Sequence, residues 1–169
     1  EVVERVTIQL SRADSDMSVL YAAAALQNMT SDGKLATEAV DCGAVRELER
    51  VLRRLGPPPR AAGHEASSLE GMLYYYISGA LMNISESVAE LAKQISEETR
   101  AKDATDGNVG GSSRRLLERM GSAKVKHARE LFSKGRTAPR AVQLAPEGQH
   151  ALEWRRAMLT AEASALDAS

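Results

Sequence analysis

The sequence predicts an all-α protein built from stacked helical units, and three observations predict it. Alanine is abundant and β-branched runs are rare, a composition that favours helices over strands. Apolar residues recur mostly three or four positions apart, the spacing of one helix face. One helical stretch is also written twice, 55 residues apart.

Residues 2–10, VVERVTIQL, place Val3, Val6 and Leu10 at helical spacing, although Val6, Ile8 and Leu10 also suit a strand; helix is the reading adopted. Asp14 or Ser15 is a good N-cap for DMSVLYAAAALQNMT, which is apolar almost all round and so expected to be buried. Ser31, Asp32 and Gly33 stop it. KLATEAVDCG is a short helix ending at Gly43, and AVRELERVLRRLG is amphipathic, with Val45, Leu48, Val51, Leu52 and Leu55 on its apolar face. Its polar face carries Arg46, Glu47, Glu49, Arg50, Arg53 and Arg54. Three consecutive prolines make residues 56–67 a loop. SLEGMLYYYISGALMNIS is a second helix apolar all round, continued by ESVAELAKQISEETRAK with Val88, Leu91 and Ile95 as its stripe. Residues 103–113, DATDGNVGGSS, read as a flexible stretch. Two weaker helical patterns follow, SRRLLERMG and SAKVKHARELFSKG, then the connector RTAPRAVQLAPEG. A last helix from about Gln149 to Leu166 has Leu152, Arg155, Leu159, Ala163 and Leu166 on one side.

A shift of 55 pairs Met17 with Met72, Tyr21 with Tyr76, Ala25 with Ala80, Leu26 with Leu81 and Asn28 with Asn83, without a gap. Ala23/Ser78, Ala24/Gly79, Met29/Ile84 and Thr30/Ser85 extend the match. Between the two copies, AALQNMTS and GALMNISE, lies EAVDCGAVRELERVL: a short helix closing on Gly43-Ala44, then an amphipathic one. This order, over residues 1 to about 95, resembles the armadillo repeat. Armadillo units run about 40–47 residues, so the longer shift requires an insertion, for which the proline-rich loop is the natural place. The resemblance implies an α-solenoid fragment over residues 1–100, a linker at 101–113 and a C-terminal helical extension over 114–169. It further implies a concave partner-binding face made by Tyr21, Ala24, Asn28, Tyr76, Gly79 and Asn83, with the asparagines clamping a partner's backbone. The nuclear-import members of the family carry Trp four residues before that Asn, where this chain has Ala24 and Gly79. That departure points away from a basic nuclear-localisation peptide and toward a closely packed protein or helix partner. On this reading Leu81→Asp unfolds the module, whereas Asn83→Ala mainly weakens a partner.

Asn28-Met-Thr and Asn83-Ile-Ser also match the glycosylation acceptor pattern. The repeat accounts for both asparagines, and EVVERVTIQL lacks the basic start and apolar block of a secretion signal. The single cysteine, Cys42, excludes an internal disulfide framework and suits a reducing compartment. No apolar run approaches the roughly 20 residues of a membrane span. The expectation is a cytoplasmic chain, with the cytoskeleton or cilium as specific settings. A start at Glu1 rather than methionine is what a processed product or a piece of something longer would have.

Chemistry-bearing constellations are not evident. His64, His127 and His150 are not at ligand spacing, and Cys42 has no neighbouring His. GNVGGSSRR lacks the Gly-Lys-Ser/Thr ending and the preceding strand of a phosphate loop. Glu47 with Glu49 and Glu97 with Glu98 fall on polar faces, where solvated charge is expected. No nucleophile motif occurs. Neither catalysis, cofactor, metal nor small-molecule substrate is predicted.

Twenty-two bases against twenty-three acids leave a net charge of −1, but the charge is polarised along the chain. Residues 123–140 hold six bases against one acid, a net of +5, with His127 adding to it when protonated. Residues 86–106 hold three bases against six acids, a net of −3. Arg114, Arg115, Lys124, Lys126, Arg129, Lys134, Arg136 and Arg140 form the predicted basic patch. Two functions follow as expectations. The first is a non-catalytic interaction module or scaffold subunit of a multi-subunit assembly, cytoskeletal or axonemal among the settings. Two units bury less than the about three a solenoid needs, so neighbouring subunits or further repeats are expected against it. The alternative is an RNA-binding ribonucleoprotein component acting through residues 114–140.

Overall fold

Helix boundaries in this chain follow from cap chemistry. In the computed structural model, residues 1–58, 68–106 and 142–167 are described, and they contain six helices and no strand: α1 (Val2–Arg12), α2 (Asp16–Thr30), α3 (Gly33–Asp41), α4 (Ala44–Leu55), α5 (Leu69–Asp106) and α6 (Pro146–Asp167). Ser15 caps α2, its Oγ accepting the Ser18 N–H at 3.2 Å. Asp32 caps α3, one carboxylate oxygen accepting the N–H groups of Lys34 and Leu35 at 2.8 and 3.2 Å. Such caps satisfy donors that have no partner inside the helix. Gly43, at φ 80°, makes the left-handed turn from α3 into α4 that a side chain would strain.

The expected helices over residues 2–55 are all present, and the strand alternative for residues 2–10 is excluded. Val3, Thr7 and Leu10 form the buried face of α1. Three other readings need correction. Glu49, assigned to the solvated face of α4, is buried with Leu48, Val51 and Leu52. α5 continues to Asp106, so residues 103–106, read as part of a flexible stretch, are helical. α6 starts at Pro146, ahead of the expected Gln149. Proline at the first helical position lacks only an N–H that would have no helical partner, and its fixed φ suits the turn.

The chain divides into two compact units, Glu1–Glu86 with Gln143–Ser169, and Ser87–Val142. The C-terminal helix thus belongs with the N-terminal helices and not to a separate extension. In the first unit α1 packs on α2, α3 and α4, α3 on α2 and α4, and α6 on α4. Its core contains Leu10, Leu26, Leu48, Leu52, Leu73, Ile77, Leu81 and Ile84, each under 2 % exposed. Each such side chain contributes about 1.5–3 kcal/mol on burial. The exposed Arg54–Asp16 pair (3.0 Å) joins α4 to α2, where an ion pair is worth about 0–1 kcal/mol. Apolar packing therefore holds the unit and the ion pair sets detail. In the second unit, α5 buries Val88 and half-buries Leu91; the Ile95 side chain lies outside the described residues.

Candidate interaction face

The two copies of the sequence repeat meet. Asn83 Nδ2 on α5 donates to the Gln27 carbonyl on α2 at 2.9 Å, one residue from the repeat mate Asn28. Gln27 lies in the last turn of α2, and its carbonyl also accepts the Thr30 hydroxyl at 3.2 Å. Gly79, one turn before Asn83, is buried. A Cβ built there would fall 2.6–2.9 Å from the end of the Gln27 side chain. The bare glycine thus lets the Gln27 amide lie on the α5 backbone.

The six residues expected to line one face divide between two duties. Tyr21 is 68 % exposed, Asn28 is exposed, and Ala24 and Tyr76 are half-buried. Tyr76 sets its ring edge-on to Tyr75, centroids 5.5 Å apart. Gly79 and Asn83 instead serve the α2–α5 contact. Met17 and Met72, one turn N-terminal to the tyrosines and not among the expected site residues, are 45 % and 36 % exposed. The repeat columns already carried that signal, since Met17 and Met72 are its first matched pair. The predicted basic patch, Arg114 through Arg140, lies outside the described residues.

α6 supplies contacts that local patterning did not reveal. Glu49 Oε1 accepts the Ala145 N–H at 2.6 Å, immediately before Pro146. A buried carboxylate at a helix N-terminus meets both a free donor and the positive end of the helix dipole. The closeness of Glu49 requires Gly148, where an added Cβ would fall 2.8 Å from Oε1. Further along α6, the Trp154 ring packs on Tyr74 with centroids 5.9 Å apart, and the Arg155 guanidinium lies 3.5 Å from the Tyr75 ring centroid. Arg155 is 6 % exposed and its Nη1 makes no hydrogen bond. The buried stripe of α6 is Ala151, Leu152, Trp154, Arg155 and Met158. Of the stripe expected from the sequence, Leu152 and Arg155 are buried, whereas Leu159, Ala163 and Leu166 are exposed.

A cleft of about 240 Å³ opens between the end of α4 and the starts of α5 and α6, lined by Leu52, Arg53, Gly56, Pro57, Pro58, Tyr74, Glu147 and His150. The Tyr74 hydroxyl donates to the Gly56 carbonyl. Burial, reinforced by the nearby Glu70 charge, raises the Tyr74 pKa above its ordinary 10.0. None of the residues expected for the interaction face lines this cleft. Cys42 is half-buried with its Sγ 3.3 Å from Thr7 Oγ1, a packing contact between α3 and α1. Among the described residues no three His, Cys, Asp or Glu side chains converge as metal ligands, and no helix is long and apolar enough to cross a membrane. No family model, curated protein or solved structure matches the chain.

Proposed function

We propose that the chain is a non-catalytic, armadillo-like protein-interaction module whose binding face is the outer ridge of α2 with the adjoining first half of α5. The observation that carries this reading is the register of the twin helices: Asn83 of one copy reaches the last turn of the other at 2.9 Å. Repeats stacked on like faces generate a continuous surface on which partner contacts recur at fixed intervals. On that surface Tyr21 and Asn28 supply an aromatic ring and a free-standing amide, groups suited to recognising a protein segment. The module then acts as a scaffold subunit of a larger cytoplasmic assembly, with cytoskeletal or axonemal structures as candidate settings.

Selection from a random peptide display library against the full chain tests this. The expected binders lose at least about tenfold in affinity, or 1.4 kcal/mol, with Tyr21→Ser or Asn28→Ala, while circular dichroism stays that of the parent. Binders indifferent to both substitutions would place recognition elsewhere and overturn the reading.

A further inference from the structure

The ridge has a definite chemistry. Asp14, Met17, Tyr21, Ala24, Asn28 and Asp32 follow one another at steps of three or four residues along α2 and its flanks. On α5, Met72, Tyr76 and Glu86 fall on one stripe, with Gly79 and Asn83 between them serving the contact with α2. Apolar and aromatic groups thus occupy the middle, with Met17, Tyr21 and Met72 substantially exposed, and carboxylates stand at the ends. Between Ala13 and Gly33, and again between Ser68 and Glu86, there is no Lys, Arg or His at all, against five acids. Of the bases of α4, Arg54 offsets one of these acids. Arg50 turns to the carbonyls of Leu10 and Ser11, and Arg54 pairs with Asp16 at 3.0 Å. A surface of this kind attracts a segment that is apolar at intervals and cationic between them, through burial of the apolar groups, charge pairing at the rim and cation–π contact with Tyr21.

The chain carries such a segment itself. Residues 123–140 hold six bases against one acid, with Val125, Ala128 and Phe132 at helical spacing among them. We infer that the α2–α5 ridge docks the basic segment 123–140 of a second copy of this chain. The inference rests on the reading of that ridge as the binding face and names its occupant. A contact between two different patches of identical chains is heterologous, so it propagates head to tail and forms a ring or a filament according to the rotation between neighbours. RNA accounts for the basic segment alone and leaves the acidic, apolar ridge uncovered; the second copy accounts for both.

Sedimentation of the full chain over a range of concentration and salt is the test. Expected are concentration-dependent oligomers that weaken at least about tenfold between about 0.05 and 0.5 M salt, as rim charge pairs require. Asp14→Lys with Glu86→Lys, both at exposed positions, gives monomers. Lys124→Glu with Lys126→Glu and Arg129→Glu does the same, and mixing the two charge-reversed chains restores association. A chain that stays monomeric at every concentration, oligomers indifferent to both reversals, or oligomers that vanish on nuclease treatment each overturn the inference. If peptides selected by display still depend on Tyr21 and Asn28 while the chain remains monomeric, the binding face stands and only its occupant is wrong.

Discussion

At the scale of single residues, two buried glycines that look alike in sequence have opposite consequences. At Gly79 the atoms nearest an added methyl are the end of the Gln27 side chain, whose Oε1 makes no hydrogen bond. The amide swings away at little cost, while alanine gains about 1 kcal/mol of helix propensity. Gly79→Ala is therefore expected to be neutral or stabilising by up to about 1 kcal/mol in urea denaturation. At Gly148 the methyl meets Glu49, which the Ala145 N–H holds in place at 2.6 Å. Gly148→Ala should cost about 1–3 kcal/mol in the same measurement, because the neighbour has nowhere to move. The paired asparagines also diverge. Asn83→Ala removes an internal hydrogen bond to Gln27 and should lower the urea midpoint by an amount equivalent to about 1 kcal/mol. Asn28→Ala, at an exposed side chain, should stay within about 0.5 kcal/mol. The sequence puts these two residues at matching positions and assigns both to a partner. Only the tertiary contact separates the one that joins α5 to α2 from the one that faces outward.

Tyr74 makes a residue-scale prediction in pH. Its folded-state pKa is raised by burial above the ordinary 10.0, so the folded state holds the phenol proton more tightly than the unfolded chain. Its stabilising contribution is full below about pH 10 and is lost as pH rises through the raised value. Thermal melts should thus fall more steeply above pH 10 for the parent than for Tyr74→Phe, and equal slopes would show that the phenol is not shielded.

At the scale of elements, α6 is where patterning and packing differ most. A helix with apolar residues scattered round it offers several candidate faces, and what it meets decides among them. Here Tyr74 and Tyr75 on α5 receive Trp154 and Arg155, and Glu49 on α4 fixes the helix start. The buried stripe consequently ends at Met158, leaving Leu159 41 % exposed. Trp154→Ala removes the largest side chain of this contact, which is 8 % exposed, and should cost about 3 kcal/mol by thermal or chemical unfolding. A loss under about 1 kcal/mol would mean that α6 does not pack there. The start of α6 was legible in Ala145-Pro146, a proline at the first position of a helix. The burial of Glu49 was not, because its partner N–H lies 96 residues away.

At the scale of the whole molecule, α6 covers part of α4 and α5 in the first compact unit. A truncation after Val142 removes the cover and bares Leu52 and Tyr74, now 1 % and 2 % exposed. Such a chain should unfold less cooperatively and bind a hydrophobic dye more strongly than the parent. A truncated chain as cooperative and as dye-silent as the parent would show that α6 is dispensable.

Taken by itself, the sequence determined what depends on neighbours along the chain. The helices over residues 2–55, the turn at Gly43 and the matching positions of Asn28 and Asn83 on α2 and α5 all follow from spacing and local chemistry. Tertiary structure alone decided what depends on distant partners: Asn83 turned inward to Gln27, Glu49 buried against the head of α6, and the C-terminal helix returned to the N-terminal unit. The physical reason is range. Periodicity and capping act within about one helical turn, whereas a buried polar group is settled by whichever donor or acceptor the fold brings to it.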